Sequence, residues 1–240
     1  MALADDISRW IASQVVAAGA RGAVVGLSGG IDSSVVAALC RRALGDAVLG
    51  TILPCQSQPI DEEYGLLAAL SFGVRTQKVD LTPVFTALTA QLPETSRLAS
   101  ANVKSRLRMA TNYFLANLHS YMVIGTGNRT ELYIGYFTKH GDGGADILPI
   151  GGLLKREVRA LAQELGVPQP IVDRTPTAGL WPGQTDEGEI GMSYDELDDV
   201  VAALGRGEAG GLRPEAVERV RRLHEASAHK RALMPIYESS

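Results

Sequence analysis

The sequence predicts an α/β protein built on a doubly wound, mostly parallel sheet with helices on both faces, a Rossmann-like arrangement. Strand-length segments recur at 23–27, 47–53, 75–81 and 121–126, the first reading as a buried strand and the last as a short apolar one. Segments with helical periodicity lie between and after them. Strands that alternate with helices form parallel βαβ units, whose crossovers are right-handed.

The elements follow in chain order. Residues 3–18 place Leu3, Ile7, Trp10, Ile11 and Val15 on one face of an opening helix. The strand at 23–27 leads into a helix at 32–44, the strand at 47–53 into a helix at 60–71. Between the strands at 75–81 and 121–126 lies a long helix, about 96–120, with Leu98, Leu107, Phe114, Leu115 and Leu118. One of its stripes can cover the sheet and the remaining apolar surface suits a subunit contact. A helix at 153–165 is closed by Gly166, with Pro168 just beyond. Residues 173–191, rich in Pro, Gly, Thr and acidic residues, read as a mobile loop. Helices at 194–204 and 214–227 complete the chain. No internal repeat or domain linker is visible, and 240 residues suffice for one domain with a full core.

Composition narrows the function classes. The net charge is −4 and no basic run is long enough to track a phosphate backbone, which disfavours a nucleic-acid partner. Cys40 and Cys55 are not spaced as a metal knuckle or redox dithiol; Cys40 reads as core, and Cys55, which follows a strand, either borders a site or is a buried, inert thiol. Neither a signal segment nor an apolar run of membrane-spanning length is present, so the expected location is the cytoplasm.

The strongest local signal is Gly26-Leu27-Ser28-Gly29-Gly30-Ile31-Asp32-Ser33-Ser34, directly after a strand and opening a helix. Glycines let the backbone turn tightly around an oxyanion, and the N–H groups of a helix start bind phosphate oxygens. The serines add hydroxyl donors. Asp32 would repel a phosphate unless Mg²⁺ lies between them. An ordinary strand-to-helix turn, capped by Asp32 and Ser33, is the structural alternative. The string lacks the lysine of a Walker loop. It resembles the S-G-G-x-D-S loop of the ATP pyrophosphatase superfamily, whose members cleave ATP between the α- and β-phosphates and transfer AMP.

Further segments narrow the resemblance. These are Asn102 to Met109, Gly125-Thr126-Gly127-Asn128 with Glu131, and Gly135 to Asp146 with its Thr138-Lys139-His140-Gly141-Asp142 core. Lys155, Pro176-Thr177-Ala178, Gln184-Thr185-Asp186-Glu187 and His229-Lys230-Arg231 follow in order. Over nearly the whole chain this resembles the ammonia-dependent, short-form NAD synthetases.

The resemblance implies an adenine nucleotide alpha hydrolase-like fold and a ligase that amidates deamido-NAD. ATP and Mg²⁺ are required, an adenylate is the intermediate, and NAD, AMP and pyrophosphate are the products. It implies ATP contacts from Gly26, Leu27, Ser28, Gly29, Gly30, Ile31, Asp32, Ser33, Thr126, Lys155 and Thr177, and Mg²⁺ held by Asp32 and Glu131. Arg106, Lys139, Asp146, His229 and Lys230 match contacts to deamido-NAD, and Asp142 matches an aspartate near the ammonia. Asp32, Lys155 and Asp142 are the implied catalytic residues. Family members are homodimers.

Read in isolation, Glu131 serves equally as a first-turn helix carboxylate and Lys155 as a solvated helix lysine. Asp142 reads equally as a turn residue, and Arg106 and His229 as surface residues. The acidic stretch from Asp186 to Asp199 reads mostly as solvated surface. Two positions depart from the family pattern: Gly179 stands where many members have Asp, and His140 where Tyr is usual. Neither cysteine lies in a nucleophile motif and no glutaminase domain accompanies the chain, so free ammonia is the expected nitrogen source. Other adenylating enzymes of the superfamily, such as tRNA-modifying ones, are the alternative. They would want a catalytic thiol pair or a basic extension.

Overall fold

A computed structural model describes residues 2–93, 96–181 and 183–238. Among them a four-stranded sheet has the order β3-β2-β1-β4, with every pairing parallel. The strands are β1 (Ala23–Gly26), β2 (Val48–Ile52), β3 (Arg75–Lys78) and β4 (Met122–Ile124). Ala23 is in register with Val48 on one side and with Met122 on the other. The order of strand addition therefore reverses between β1 and β4, and ligands of open α/β sheets bind beyond the carboxyl ends at such a point.

The helices are α1 (Ala2–Ala17), α2 (Ile31–Leu44), α3 (Pro59–Phe72), α4 (Thr82–Thr89), α5 (Arg97–His119), α6 (Arg129–Ile134), α7 (Lys155–Leu165), α8 (Gln169–Val172), α9 (Asp186–Ile190), α10 (Tyr194–Arg206), α11 (Pro214–Ala226) and α12 (Ala228–Arg231). β1 is buried on both faces, so its residues are apolar without alternation. Ala23 and Val25 pack with α1, α2, α3 and α7 through residues such as Ile11, Val35, Ala68 and Leu161. Val24 turns to the opposite face and packs with Leu115 and Ala116 of α5. A separate core joins α6, α10 and α11 around Ile134, Leu197 and Val220.

The expected strands and long helices are present with shifted ends. The expected strand at 75–81 shortens to an edge strand, β3, whose four residues are all exposed. Edge position explains this, because β3 has a strand partner on one side only. The expected loop at 173–191 is corrected in part. Its second half forms α9, with the Thr185 side chain accepting from Gly188 N, and Gln184 and Asp186 are buried. Its Pro182 lies outside the described residues. The acidic stretch is corrected too: Asp198 is fully buried. No described helix is long and apolar enough to cross a membrane.

Candidate active site

The loop after β1 is held by its own hydroxyls. Ser33 Oγ donates to Gly30 O at 3.0 Å and accepts from Ser28 N at 3.3 Å, while Ser34 Oγ donates to Gly30 O at 2.9 Å. Gly29 has φ +76°, and a Cβ there would come within 2.5 Å of Asp61 O, so glycine is required by conformation and by space. Gly30 caps α2 without a side-chain hydrogen bond. The first-turn N–H groups of α2 are thus left without a side-chain acceptor, as an anion site needs.

Three charged side chains converge beside this loop. Asp32 comes from the first turn of α2, Glu131 from α6 after β4, and Lys155 from the first position of α7. Lys155 is 2% exposed; its Nζ bonds Asp32 Oδ2 and lies 3.0 Å from Glu131 Oε1. Asn128 joins the two carboxylate-bearing turns. Its Oδ1 accepts from Glu131 N at 3.0 Å and its Nδ2 donates to Asp32 Oδ1 at 3.0 Å. Lys155 is thus buried rather than a solvated helix lysine, and Glu131 stands in the first turn of α6.

Asp198 of α10 fixes where Lys155 stands. Its Oδ1 accepts from Lys155 N at 3.2 Å and its Oδ2 from Arg156 N at 2.8 Å, capping α7 from outside the helix. Thr130 Oγ1 donates to Asp198 Oδ1 at 2.5 Å, linking the same cap to α6. Reading the acidic stretch by charge missed this residue. The signal was its spacing, because Asp198 shares the α10 face of Tyr194, Leu197 and Val201, all buried.

Burial pushes the Glu131 carboxyl up to about 7, against the pull of Lys155 and with added repulsion from Asp32. For Lys155, burial disfavours the charge, but Asp32 and Glu131 outweigh it and raise its pKa. Asp32 and Glu131 thus offer hard oxygen donors aimed at one cation. That donor set fits Mg²⁺, which takes one or two carboxylates and completes its shell with water and phosphate oxygens.

The other predicted residues form a second group. Arg106 Nη2 donates to Lys139 O at 3.3 Å and Lys139 Nζ to His229 O at 2.6 Å. Lys230 Nζ donates to Gly135 O at 2.8 Å and Phe137 O at 2.7 Å, pinning α12 to the turn after α6. Asp142 Oδ1 accepts from Ser105 Oγ at 2.7 Å and Thr138 N at 3.0 Å, so one of its oxygens already shapes this turn. Asp146 is anchored elsewhere: Val123 N donates to it at 2.7 Å and the Tyr113 hydroxyl at 3.0 Å. Thr177 Oγ1 accepts from Gly179 N at 3.1 Å, a turn inside the segment before α9. Cys40 and Cys55 are both buried.

Comparison with known proteins agrees with this geometry. Residues 3–234 match the family model described as NAD synthase. The chain is 48% identical over 198 residues to the NH(3)-dependent NAD(+) synthetase of Finegoldia magna, covering 82% of each chain. It is 45% identical to that of Carboxydothermus hydrogenoformans, covering 95% of this chain and 94% of the other. The NMN synthetase structure from Francisella tularensis superimposes with a TM-score of 0.89 at 37% identity, covering 98% of each chain. A sheet that switches between β1 and β4, a glycine-rich turn at the switch and a match over nearly every residue lead to one conclusion: the chain belongs to the NAD synthase family.

Proposed function

We propose that this chain is an ammonia-dependent NAD⁺ synthetase, which joins ammonia to the carboxylate of deamido-NAD at the expense of ATP. The observation that carries the reading is the convergence of Asp32, Glu131 and Lys155 beside the turn 26–34, in a chain of this family. Relatives matched over nearly their whole length are named for the ammonia-dependent reaction, which supports ammonia as the nitrogen source.

A carboxylate is inert to ammonia in water, so it must first gain a leaving group. The turn 26–34 and the N-terminus of α2 hold the β- and γ-phosphates. A nicotinate oxygen attacks the α-phosphorus, the bond from the α-phosphorus to the bridging oxygen breaks, and pyrophosphate leaves. Lys155 balances charge that builds on the phosphate oxygens. Asp32 and Glu131 would hold Mg²⁺, which supplies charge neutralisation between phosphate oxygens. Ammonia then attacks the acyl carbon, AMP departs with the C–O electron pair, and the nitrogen loses a proton. Asp142 is proposed to receive or orient that ammonium through its free oxygen.

Arg106, Lys139, Asp146, His229 and Lys230 are proposed to line the dinucleotide side, with Thr126 and Thr177 on the nucleotide side. The segment 173–191 excludes water from the adenylate. The whole chain works as one synthetase domain in the cytoplasm, with neither nucleic acid nor membrane as a partner. Its partner is a second copy: Phe114 and Leu118, one turn apart on α5, are 67% and 65% exposed, apolar surface suited to a subunit contact.

The test is incubation with ATP, Mg²⁺, ammonium and deamido-NAD, followed by detection of NAD, AMP and pyrophosphate. ADP in place of AMP would overturn adenylation. Because the Francisella relative is named for NMN, nicotinate mononucleotide is the second acid to assay. A higher kcat/KM for it would move the substrate assignment without altering the chemistry.

A further inference from the structure

Tyr194 opens α10 and is 1% exposed, yet its hydroxyl lies between two carboxylates. Glu131 Oε1 is 3.0 Å away and Asp186 Oδ2 is 3.1 Å away. Asp186, itself 5% exposed, has its other oxygen 3.0 Å from the Tyr136 hydroxyl. That hydroxyl also meets Glu189 Oε2 at 2.5 Å, and Gln184 Nε2 donates to the same oxygen at 2.8 Å. Gln184 Oε1 accepts from Leu180 N at 2.8 Å. Contacts therefore run unbroken from Glu131 to the backbone beside Trp181.

A phenol has one proton to give. Tyr194 donates to Glu131 or to Asp186, and Tyr136 to Asp186 or to Glu189. The two choices are linked through Asp186. While Tyr194 serves Glu131, Asp186 draws on Tyr136. Once Tyr194 turns to Asp186, Tyr136 is released to Glu189. No proton changes owner; two O–H bonds rotate. Burial strengthens each such bond and makes an unserved carboxylate costly, so the two settings are distinct.

We propose that Tyr194 and Asp186 are positioning residues that couple cation binding at Glu131 to the order of the 176–190 segment. A dication at Glu131 weakens its oxygens as acceptors and turns Tyr194 toward Asp186. Tyr136 then serves Glu189, a charge-assisted bond that reinforces the Gln184 and Leu180 contacts. The segment tightens when the metal nucleotide is in place, which is when an adenylate needs shielding from water. The inference rests on the synthetase reading for the identity of the cation and for the purpose of closure.

The experiment reads Trp181. The chain has two tryptophans, and Trp10→Phe on the exposed side of α1 leaves Trp181 as the only one. ATP is added to this parent with Mg²⁺ or with EDTA, and emission is recorded. The expected result is an Mg²⁺-dependent emission change in the parent. Tyr194→Phe, which keeps the buried ring, should remove most of that change without raising half-saturating Mg²⁺, because the phenol leaves Glu131 when the cation binds. Asp186→Asn should also remove the emission change and raise half-saturating Mg²⁺, because Tyr194 loses the carboxylate it turns to when the cation displaces it from Glu131. A parent without an Mg²⁺-dependent change, or variants that match the parent in both readings, would overturn the proposal. Emission reports binding rather than turnover. A Tyr194-dependent response in a chain that makes no NAD would therefore overturn the synthetase reading and leave this coupling standing.

Discussion

The Lys155 ammonium lies 3.0 Å from Glu131 Oε1 while also bonding Asp32, so one buried cation holds together two acids from opposite sides of the sheet switch. This lysine neutralises both carboxylates. Its charge has two proposed uses, the integrity of this cluster and the stabilisation of a reacting phosphate.

Lys155→Ala should therefore fail in both respects. Removing one member of a buried ion pair leaves the remaining charges unpaired, at a cost of about 3 kcal/mol. Thermal unfolding of the ligand-free protein would register the loss. Loss of transition-state charge stabilisation should lower kcat by roughly 10²–10³-fold. Single-turnover release of pyrophosphate would locate the defect in the adenylation step. A variant with normal pyrophosphate release and slow amidation would place Lys155 in the second half-reaction instead.

Asp32→Asn keeps an acceptor for Asn128 and a similar shape but removes the negative charge. Mg²⁺-dependent turnover should fall by about 10²-fold, an ordinary loss for an electrostatic contact at a reacting phosphate. The measurement is kcat against Mg²⁺ concentration. Activity close to the parent at every concentration would end the assignment of Asp32 to the metal.

Asp198→Ala tests a residue that no part of the reaction touches. Its carboxylate caps the backbone of Lys155 and Arg156, so its loss should destabilise the protein by about 1–2 kcal/mol. Lys155 would also lose its fixed origin, and kcat should fall while the KM for deamido-NAD holds. Asp198→Asn, which retains one acceptor oxygen, should recover part of both losses. An unchanged kcat with reduced stability would reduce Asp198 to a purely structural cap.

These residues mark how far the sequence could be read. Strand-helix alternation located the sheet, because β1, fully enclosed, has no polar residue to break its run. The turn 26–34 was legible because glycine, serine and aspartate in that order have few other uses. Asp198 and Asp186 were not legible as buried groups. Their sequence neighbours are largely acidic, and contacts to Thr130, Tyr136 and Arg156, 42 or more residues distant in the chain, help take them out of water. Helix α6 was missed as an element because six residues are too few to show a period. The short helices α4, α8, α9 and α12 were missed for the same reason.

Gly29→Ala tests the shape of the phosphate turn. The new methyl group would be forced to a positive φ and to within 2.5 Å of Asp61 O, a backbone atom that cannot swing aside. Strain of this kind costs about 1–3 kcal/mol. The turn can relieve it only by moving Gly30 and the start of α2, so the KM for ATP should rise more than that for deamido-NAD. Gly183→Ala is the matched control for positive φ, since that position has φ +75° and open space around it. Equal effects on ATP affinity from the two substitutions would argue that backbone strain alone, rather than the crowded turn, governs nucleotide binding.

The two thiols should be silent in the native protein. Cys40 is fully buried on α2 and burial pushes its pKa up to about 12; Cys55 is 1% exposed and burial raises its pKa too. A thiol reagent at pH 8 should find no reactive group until denaturant is added, and then both. The sign of the pH effect follows from the neutral thiol being the form the fold holds. For Cys40 the contribution to stability is intact below its ordinary value of 9.0 and is lost as pH rises through about 12. Melting temperature should fall across that alkaline window, less steeply in Cys40→Ala, which has no thiol to ionise. Rapid labelling of the native protein at pH 8 would contradict the burial, and identical alkaline slopes in the two proteins would assign the loss to other groups, the buried tyrosines among them.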